Sequence, residues 1–253
     1  MDGVLGWVVR WRVPLLVGTL LIFGGFEVGR QIAGYHPGWP VTLVLNLVLP
    51  GSLILWSASI ARGYHPAVLV ARPVVPALEV PPNPVMVLAA VGYTMFGTRL
   101  LGGLARDLMV GDGAWGFSVG IVVFWGLFLS AFWASALGRF GVRLYPEGIV
   151  SREVLGSVFV PWEALGGPRP AFAYDAQQVT LTVADPARVR KRGLRFGEPA
   201  RVPAAGVSAE LLARTIHEYS NRPELRAAIG TEEELARFRG IPQIAELTAA
   251  APR

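Results

Sequence analysis

The chain contains 253 residues, of which 53% are apolar and 16% are charged, and it carries a formal net charge of +5. This composition excludes a disordered chain, which would be rich in charge and poor in apolar residues, and it argues against a single water-soluble domain. The sequence contains no cysteine, so disulfide bonds, catalytic thiolates, cysteine-ligated zinc and iron–sulfur clusters are excluded as well.

The charged residues are distributed unevenly along the chain. Residues 1–138 hold seven arginines and five acidic residues, whereas residues 139–253 hold 16 basic and 13 acidic residues. The first segment therefore has the composition of a membrane domain, and the second has the composition of an ordinary soluble domain. We predict a domain boundary near Gly138.

Four apolar stretches in the first segment approach the length of about 20 residues with which a helix crosses a bilayer. They run roughly over residues 13–29, 41–60, 85–104 and 115–137. The fourth stretch contains no charged residue, and the second is interrupted by Pro50 and Gly51. The sequence thus predicts an α-helical bundle of four transmembrane helices over residues 1–138.

The arginines that flank these stretches predict an orientation. With four spans both termini lie on one side, and six flanking arginines fall on that side: Arg10, Arg12, Arg62, Arg72, Arg139 and Arg143. Arg30 and Arg106 flank the other side. Because cytoplasmic flanks are enriched in basic residues, we expect a multi-pass protein of the inner (plasma) membrane with both termini in the cytoplasm.

Residues 72–84 contain five prolines and lie between the second and third predicted spans. Proline prevents a continuous helix. The segment therefore predicts a stiff, extended cytoplasmic connector, and a ligand for a proline-recognition domain is the alternative interpretation.

Beyond Gly138 the apolar pattern changes from helical to alternating. Val179, Leu181 and Val183 alternate with polar residues, which is typical of a half-buried strand. Short strands separated by turn residues predict a small β-barrel or sandwich over residues 139–222. Ser208 is placed to cap a helix that follows the strands, and residues 223–253 are predicted to form a short helix and a tail.

Two runs in this segment resemble the bacterial pleckstrin-homology-like (PH-like) domains. They are Val-Arg-Leu-Tyr-Pro-Glu-Gly-Ile-Val-Ser-Arg at residues 142–152 and Val-Phe-Val-Pro-Trp-Glu-Ala-Leu at residues 158–165. The shared pattern is a strand, an acidic-Gly turn, a second strand and a Pro-Trp segment. The resemblance covers a third of the chain. It implies a PH-like barrel capped by an α-helix, without catalytic residues, in a small membrane protein of the actinobacterial type.

Glu27, Arg30 and Arg99 are ionisable residues within or beside the predicted spans. Such residues are costly in a membrane and indicate a functional site by default. The first and third spans run in the same direction, so Glu27 and Arg99 both lie toward the outer end, with Arg30 one turn from Glu27. Three interpretations stay open: extension of all three side chains to the interface, an intramembrane ion pair, and a transport role. No ladder of acids crosses the membrane, which argues against an ion pathway.

The densest basic run contains Arg188, Arg190, Lys191, Arg192 and Arg195. Beside an anionic inner leaflet each charge adds about 1 kcal/mol of attraction, so the run is a candidate for binding anionic lipid headgroups or a protein partner. The alternative is a solvated positive face without a specific ligand. No aromatic residues interleave the run, so we do not expect nucleic acid as a partner.

The three histidines, His36, His65 and His217, fall in an outer loop, an inner loop and the late amphipathic helix. This distribution assembles neither a three-histidine metal site nor a catalytic triad. We therefore expect no catalytic residue, metal or cofactor. The sequence favours a non-enzymatic, membrane-tethered binding or scaffolding module that contacts the lipid bilayer and a protein partner or a second copy of itself. The alternative is a small transporter or channel subunit that works through the helix bundle around Glu27 and Arg99.

Overall fold

The computed structural model describes residues 2–34, 38–64, 66, 68–72, 75–110, 115–194 and 200–239. Within these ranges the side chains of Asp2, Trp115, Phe238, Arg239 and residues 105–110 are not described. The chain folds into two compact units. The helical unit comprises Met1–Gly63 and Pro82–Leu137, and the sheet unit comprises Tyr64–Pro81 and Gly138–Arg253.

Six α-helices and one π-helical turn make up the described part of the helical unit. They are α1 (Asp2–Arg10), α2 (Arg12–Ala33), α3 (Trp39–Leu43), the π-helical turn (Val44–Val48), α4 (Leu49–Ala61), α5 (Pro84–Val110) and α6 (Trp115–Ala136). Four helical segments among the described residues are long and apolar enough to cross a membrane: Arg12–Ala33, Trp39–Ala61, Pro84–Leu104 and Gly116–Ala136. The prediction of four apolar helices of membrane-spanning length is therefore confirmed.

Local sequence explains where two of these helices begin and end. Asn83 begins α5, because its side-chain oxygen accepts a hydrogen bond from the Val85 N–H at 2.9 Å and Pro84 follows at the first helical position. Gly34 ends α2 in the left-handed conformation (φ 62°), where glycine carries no Cβ penalty.

The second span contains the interruption that Pro50 predicts, but the helix continues through it. Proline has no N–H to donate to the carbonyl of Asn46, four residues earlier. The structure accommodates this loss with the wider π-helical turn at Val44–Val48, which directly precedes α4.

Aromatic side chains pack α5 against α6. The ring of Tyr93 meets the rings of Phe128 and Phe132 edge-on, with centroids 5.0 and 4.8 Å apart. The indole N–H of Trp133 donates to the Thr94 hydroxyl at 2.9 Å, which satisfies a buried polar pair on the same interface.

The described part of the sheet unit contains nine short strands. They are β1 (Val70–Arg72), β2 (Ala77–Glu79), β3 (Gly141–Tyr145), β4 (Gly148–Arg152), β5 (Gly156–Pro161), β6 (Ala171–Asp175), β7 (Gln178–Leu181), β8 (Arg190–Gly193) and β9 (Arg201–Pro203). One sheet has the order β1-β2-β3-β4-β5-β8 and the other has the order β6-β7-β9, and all neighbouring strands are antiparallel. The strand-rich segment predicted after residue 138 is present, and its described strands form two open sheets. Of the two predicted arrangements, barrel or sandwich, a closed barrel is not formed by the described strands.

Helix α7 (Ala209–Asn221) packs against β6 and β7 and is followed by α8 (Glu232–Arg239). The predicted cap at Ser208 is confirmed, since its hydroxyl accepts a hydrogen bond from the Leu211 N–H at 3.4 Å. The buried face of α7 includes Ile216 and Tyr219. Trp162 is buried beside Tyr219, and its indole N–H donates to the Tyr145 carbonyl at 2.9 Å.

The proline-rich segment 72–84 is more than a connector. Its residues Ala77–Glu79 form β2, which pairs with β1 on one side and with β3 on the other. The sequence analysis missed these strands because each is only three residues long and prolines flank β2. The sheet unit is therefore assembled from two separate parts of the chain.

Candidate functional site

Glu27 lies on the face of α2 that packs against α5, and it is only 4% exposed. Gly102 of α5 faces it. A Cβ atom at residue 102 would lie 2.7 Å from Glu27 Oε1 and 2.9 Å from Gln31 Nε2, closer than real Cβ contacts occur. The two helices therefore approach each other closely because glycine occupies position 102.

Both carboxylate oxygens of Glu27 are hydrogen bonded. Oε1 accepts from Arg30 Nη2 at 2.6 Å and from Gln31 Nε2 at 2.9 Å. Oε2 accepts from Arg30 Nε at 3.0 Å and from Arg99 Nη1 at 2.9 Å. Gln31 Nε2 also donates to the Gly102 carbonyl at 2.7 Å. We call these four side chains, Glu27, Arg30, Gln31 and Arg99, the Glu27 cluster.

The Glu27 cluster brings together all three ionisable residues that the sequence analysis singled out in the spans. One carboxylate faces two guanidinium groups, so the cluster carries a net charge of +1. The Arg30 side chain is 9% exposed and the Arg99 side chain is 34% exposed. The sequence analysis missed Gln31. Its position four residues after Glu27 puts it on the same helix face, which would have predicted a contact between the two side chains.

A narrow pocket lies beside the Glu27 cluster. Asn46 of the π-helical turn, Thr42 and Thr98 contribute its polar lining, and Arg99 reaches it from α5. The pocket is partly open and has room for about one water molecule. This is much smaller than the pockets that hold organic ligands, which typically measure about 300 Å³ or more. The arrangement therefore fits a water or a small ion better than a metabolite.

A second buried carboxylate, Glu79, lies at the centre of the β1–β2–β3 part of the sheet. Arg143 donates to Glu79 Oε1 from Nη2 at 2.8 Å and from Nε at 3.1 Å, and Arg72 forms an ion pair with Oε2. Burial lowers the pKa of the Arg143 guanidinium, but its hydrogen bond to Glu79 and the negative charge of that carboxylate outweigh burial and raise the pKa. Arg72 and Arg143, considered above as flanking charges, thus hold β1 and β3 to β2.

The basic run divides into parts with different environments. Arg190, Lys191 and Arg192 lie on β8, whose residues are all exposed. Arg188 lies on the short turn before β8, where its Nε is 3.0 Å from Asp185 Oδ2. Arg195 lies outside the described residues. The structure thus groups three of the five predicted binding residues on one strand and pairs a fourth with an acid.

Strand β8 forms one edge of the six-stranded sheet. It pairs with β5 in a register that sets Arg190 opposite Phe159 and Arg192 opposite Ser157. Because facing residues of an antiparallel pair point to the same side, Arg190 and Arg192 share one face and Lys191 lies on the other. A charged edge strand also discourages pairing with other chains, which is a purely structural reason for this composition.

The histidines do not converge among the described residues. His217 is exposed on α7, where its ring nitrogen Nε2 lies 3.0 Å from Asn221 Nδ2. His36 and His65 lie outside the described residues. Within the described ranges, no three side chains of histidine, aspartate or glutamate are grouped as metal ligands would be.

No protein-family model, curated protein or solved structure matches the chain. The resemblance of residues 142–165 to PH-like domains therefore stays a prediction. Two charged features of the described residues bear on function, the Glu27 cluster and the exposed strand β8.

Proposed function

We propose that the protein is a non-enzymatic, membrane-anchored binding module whose sheet unit contacts an anionic partner through strand β8. The four apolar helices would anchor it in a bacterial plasma membrane with both termini in the cytoplasm. The observation that carries this proposal is the position of Arg190, Lys191 and Arg192, three consecutive exposed basic residues on an edge strand.

The charged side chains of β8 are exposed and can contact a partner, whereas Glu27 and Glu79 are buried. The oxygens of these two acids face arginines of the same unit. Among the described residues, no acid forms a salt bridge with Arg190, Lys191 or Arg192. Three adjacent positive charges repel one another, so an anionic surface placed against β8 would relieve that repulsion as well as gain direct attraction.

We further propose that the sheet unit is a PH-like domain. Support comes from the order of elements along residues 141–162: β3, the turn at Pro146, β4, β5 and then the buried Trp162. This order matches the strand, turn, strand and Pro-Trp pattern for which the sequence resembles the family. A helix that follows the strands and packs against them also supports the proposal: α7 contacts β6 and β7, and the rings of Trp162 and Tyr219 have centroids 6.1 Å apart. On this proposal the unit acts in scaffolding or assembly, with an acidic protein, a second copy or anionic lipid as the partner.

Photo-crosslinking of the full chain in membranes tests the binding module. A photoreactive residue replaces Lys191 in one variant and the exposed His217 of α7 in the matched control. We expect adducts with an anionic molecule from position 191 that disappear when Arg190→Gln and Arg192→Gln are added. Equal labelling from positions 191 and 217, or adducts that persist without the two arginines, would overturn the proposal.

A small transporter or channel subunit is the second candidate, and the pocket beside the Glu27 cluster favours it. On this alternative Arg99 and Asn46 would line a path for a small ion. Ion flux into vesicles that contain the full chain tests it. Flux that is lost in Arg99→Gln but kept in Arg190→Gln would support transport, whereas no flux above that of empty vesicles would exclude it.

A further inference from the structure

In the six-stranded sheet, the pairing register puts several strand ends at the same end of the sheet. Val70 at the start of β1 pairs with Glu79 at the end of β2, and Gly141 at the start of β3 pairs with Arg152 at the end of β4. Because neighbouring strands are antiparallel, these ends all lie at the same end of the sheet. The chain also passes between sheet and helices there, since β1 follows α4, β2 precedes α5 and β3 follows α6. We call this the tethered end of the sheet.

The β4–β5 turn and the end of β8 also lie at the tethered end. Gly156 of β5 pairs with Gly193 of β8, and the Leu194 N–H donates to the Leu155 carbonyl at 2.9 Å. The side chains of Val154, Leu155 and Leu194 are 54%, 55% and 70% exposed. We call these three side chains the apolar tip.

The backbone holds the apolar tip in a defined shape. Gly193 has φ 81°, and a Cβ there would meet the Leu155 carbonyl oxygen and lie 3.0 Å from Gly156 Cα. The Glu153 N–H donates to the Gly156 carbonyl at 2.8 Å, which closes the turn. Exposed branched aliphatic residues are unusual at a turn, where Gly, Asn, Asp and Ser dominate. Edge protection explains the charges of β8, but it does not explain an apolar tip beside them.

Among the described residues, basic residues outnumber acidic residues around the apolar tip. Arg152 immediately precedes the turn and is exposed, and Arg139, two residues before β3, is also exposed. The three exposed basic residues of β8 run up to Leu194. Glu153 is an acidic residue at the turn and is half-buried. An exposed apolar group beside several exposed positive charges is the pattern with which protein segments enter the interface of an anionic bilayer.

We propose that the apolar tip and β8 dock together on the anionic leaflet of the membrane in which the helices lie. Val154, Leu155 and Leu194 enter the boundary between headgroups and acyl chains. Arg190 and Arg192 contact lipid phosphates from one face of β8, and Lys191 contacts them from the other. This inference rests on the proposed function and deepens it, because it identifies the anionic partner of β8 as phospholipid. Short chain segments join the tethered end to three apolar helices, so the local concentration of bilayer is high.

Environment-sensitive fluorescence of the full chain in lipid nanodiscs tests this docking. The sequence has no cysteine, so Leu155→Cys introduces one labelling site, and His217→Cys on α7 gives the matched control. In discs of phosphatidylcholine with phosphatidylglycerol we expect the label at 155 to shift to shorter wavelength and to be quenched by lipid-attached spin labels. The label at 217 should show neither effect.

Neutralising β8 separates the role of charge from that of the apolar tip. The test variant adds Arg190→Gln, Lys191→Gln and Arg192→Gln to Leu155→Cys. We expect the ratio of docked to undocked label to fall on the order of 100-fold, because each charge contributes about fivefold. Omitting phosphatidylglycerol should produce the same fall. Leu194→Ser should also reduce docking, roughly tenfold, while it leaves the charges in place.

The results distinguish failure of this inference from failure of the proposed function. A label at 155 that stays unquenched in anionic discs, with crosslinks from position 191 to an acidic protein, would overturn lipid docking and leave the binding module standing. An unquenched label and no specific crosslinks from position 191 would overturn both. Quenching that is insensitive to phosphatidylglycerol would overturn the role of lipid charge.

Discussion

Arg99 Nη1 lies 2.9 Å from Glu27 Oε2, although the two residues are 72 positions apart and belong to apolar helices of membrane-spanning length. The contact joins α2 to α5 through charges that each helix alone would have to expose to lipid or solvent. Glu27 is the shared acceptor of this arrangement, since Arg30 and Gln31 donate to the same carboxylate. The cluster should therefore be more sensitive to loss of the acid than to loss of one base.

Glu27→Leu should destabilise the helical unit more than Arg99→Leu. The first change leaves two guanidinium groups without their acceptor, which costs about 3–5 kcal/mol when a buried pair is broken. The second leaves Glu27 paired with Arg30, and the partly exposed Arg99 contributes only about 1 kcal/mol. Thermal unfolding of the full chain in mild detergent measures both. Equal melting temperatures for the two variants would contradict a shared acceptor.

Gly102→Ala should destabilise the contact between α2 and α5, whereas the adjacent Gly103→Ala should not. A Cβ at 102 would meet the side chains of Glu27 and Gln31, but a Cβ at 103 has no atom within 4 Å. We expect a loss of about 1–3 kcal/mol for the first change from overpacking, and a gain of up to about 1 kcal/mol for the second from helix propensity. The same detergent unfolding measurement compares them, and a Gly102→Ala chain as stable as Gly103→Ala would show that α2 lies elsewhere.

Glu79→Ala should destabilise the sheet unit, and Glu163→Ala supplies the matched control. Both acids pair with an arginine, but the Glu79 side chain is buried and Glu163 is exposed in its pair with Arg226. Removing Glu79 leaves Arg143 partly buried without its partner, which we expect to cost about 3 kcal/mol. Removing Glu163 should cost less than about 1 kcal/mol. Limited proteolysis of the sheet unit would report the difference as faster cleavage of the Glu79→Ala chain.

Tyr219 should make the sheet unit sensitive to alkaline pH. Burial raises the pKa of its phenol above the ordinary value of 10.0, and the nearby charge of Glu234, which accepts its hydrogen bond at 3.1 Å, raises it further. A folded-state pKa above the unfolded value means that the stabilisation is fully present below pH 10 and is lost progressively as the pH rises above it. Near-ultraviolet circular dichroism between neutral pH and pH 12 follows this loss.

Tyr219→Phe separates the phenol from other alkaline effects. Without the hydroxyl the unit should lose about 1.5–3 kcal/mol at neutral pH, because a hydrogen bond to a carboxylate is removed. The remaining stability should then fall less steeply above pH 10 than in the parent chain. Parallel pH profiles for the two chains would rule out the phenol as the titrating group.

The parts of the fold that could be predicted from sequence are those set by local pattern. Apolar length located four helices. Alternation located strands after residue 138, such as β7, and Ser208 located the start of α7. Helix α1 was missed because nine residues are too few for a span. Strand β2 was missed because the partner that completes it, β3, lies more than 60 residues away: Glu79 pairs with Arg143. No local pattern carries that information.

The candidate site shows the same limit. The sequence identified Glu27 and Arg99 but left their pairing open, because pairing depends on the rotation and closeness of α2 and α5, which Gly102 permits. It also identified the basic residues of β8 but not the apolar tip. Val154 and Leu155 are distant in sequence from Leu194 and β8, and the β5–β8 register brings them together.

The division of the sheet unit between two parts of the chain has a consequence for biosynthesis. The β1–β2 pair leaves the ribosome first, and 61 residues separate the end of β2 from the start of β3. At ordinary translation speeds this interval lasts roughly 3–12 s, during which both spans between them are made and Glu79 still lacks Arg143. The nascent hairpin must keep its open edge from pairing with other chains throughout that time. The last two apolar helices therefore emerge before the sheet can close over β2, and the sheet unit matures only after the helical unit has been synthesised.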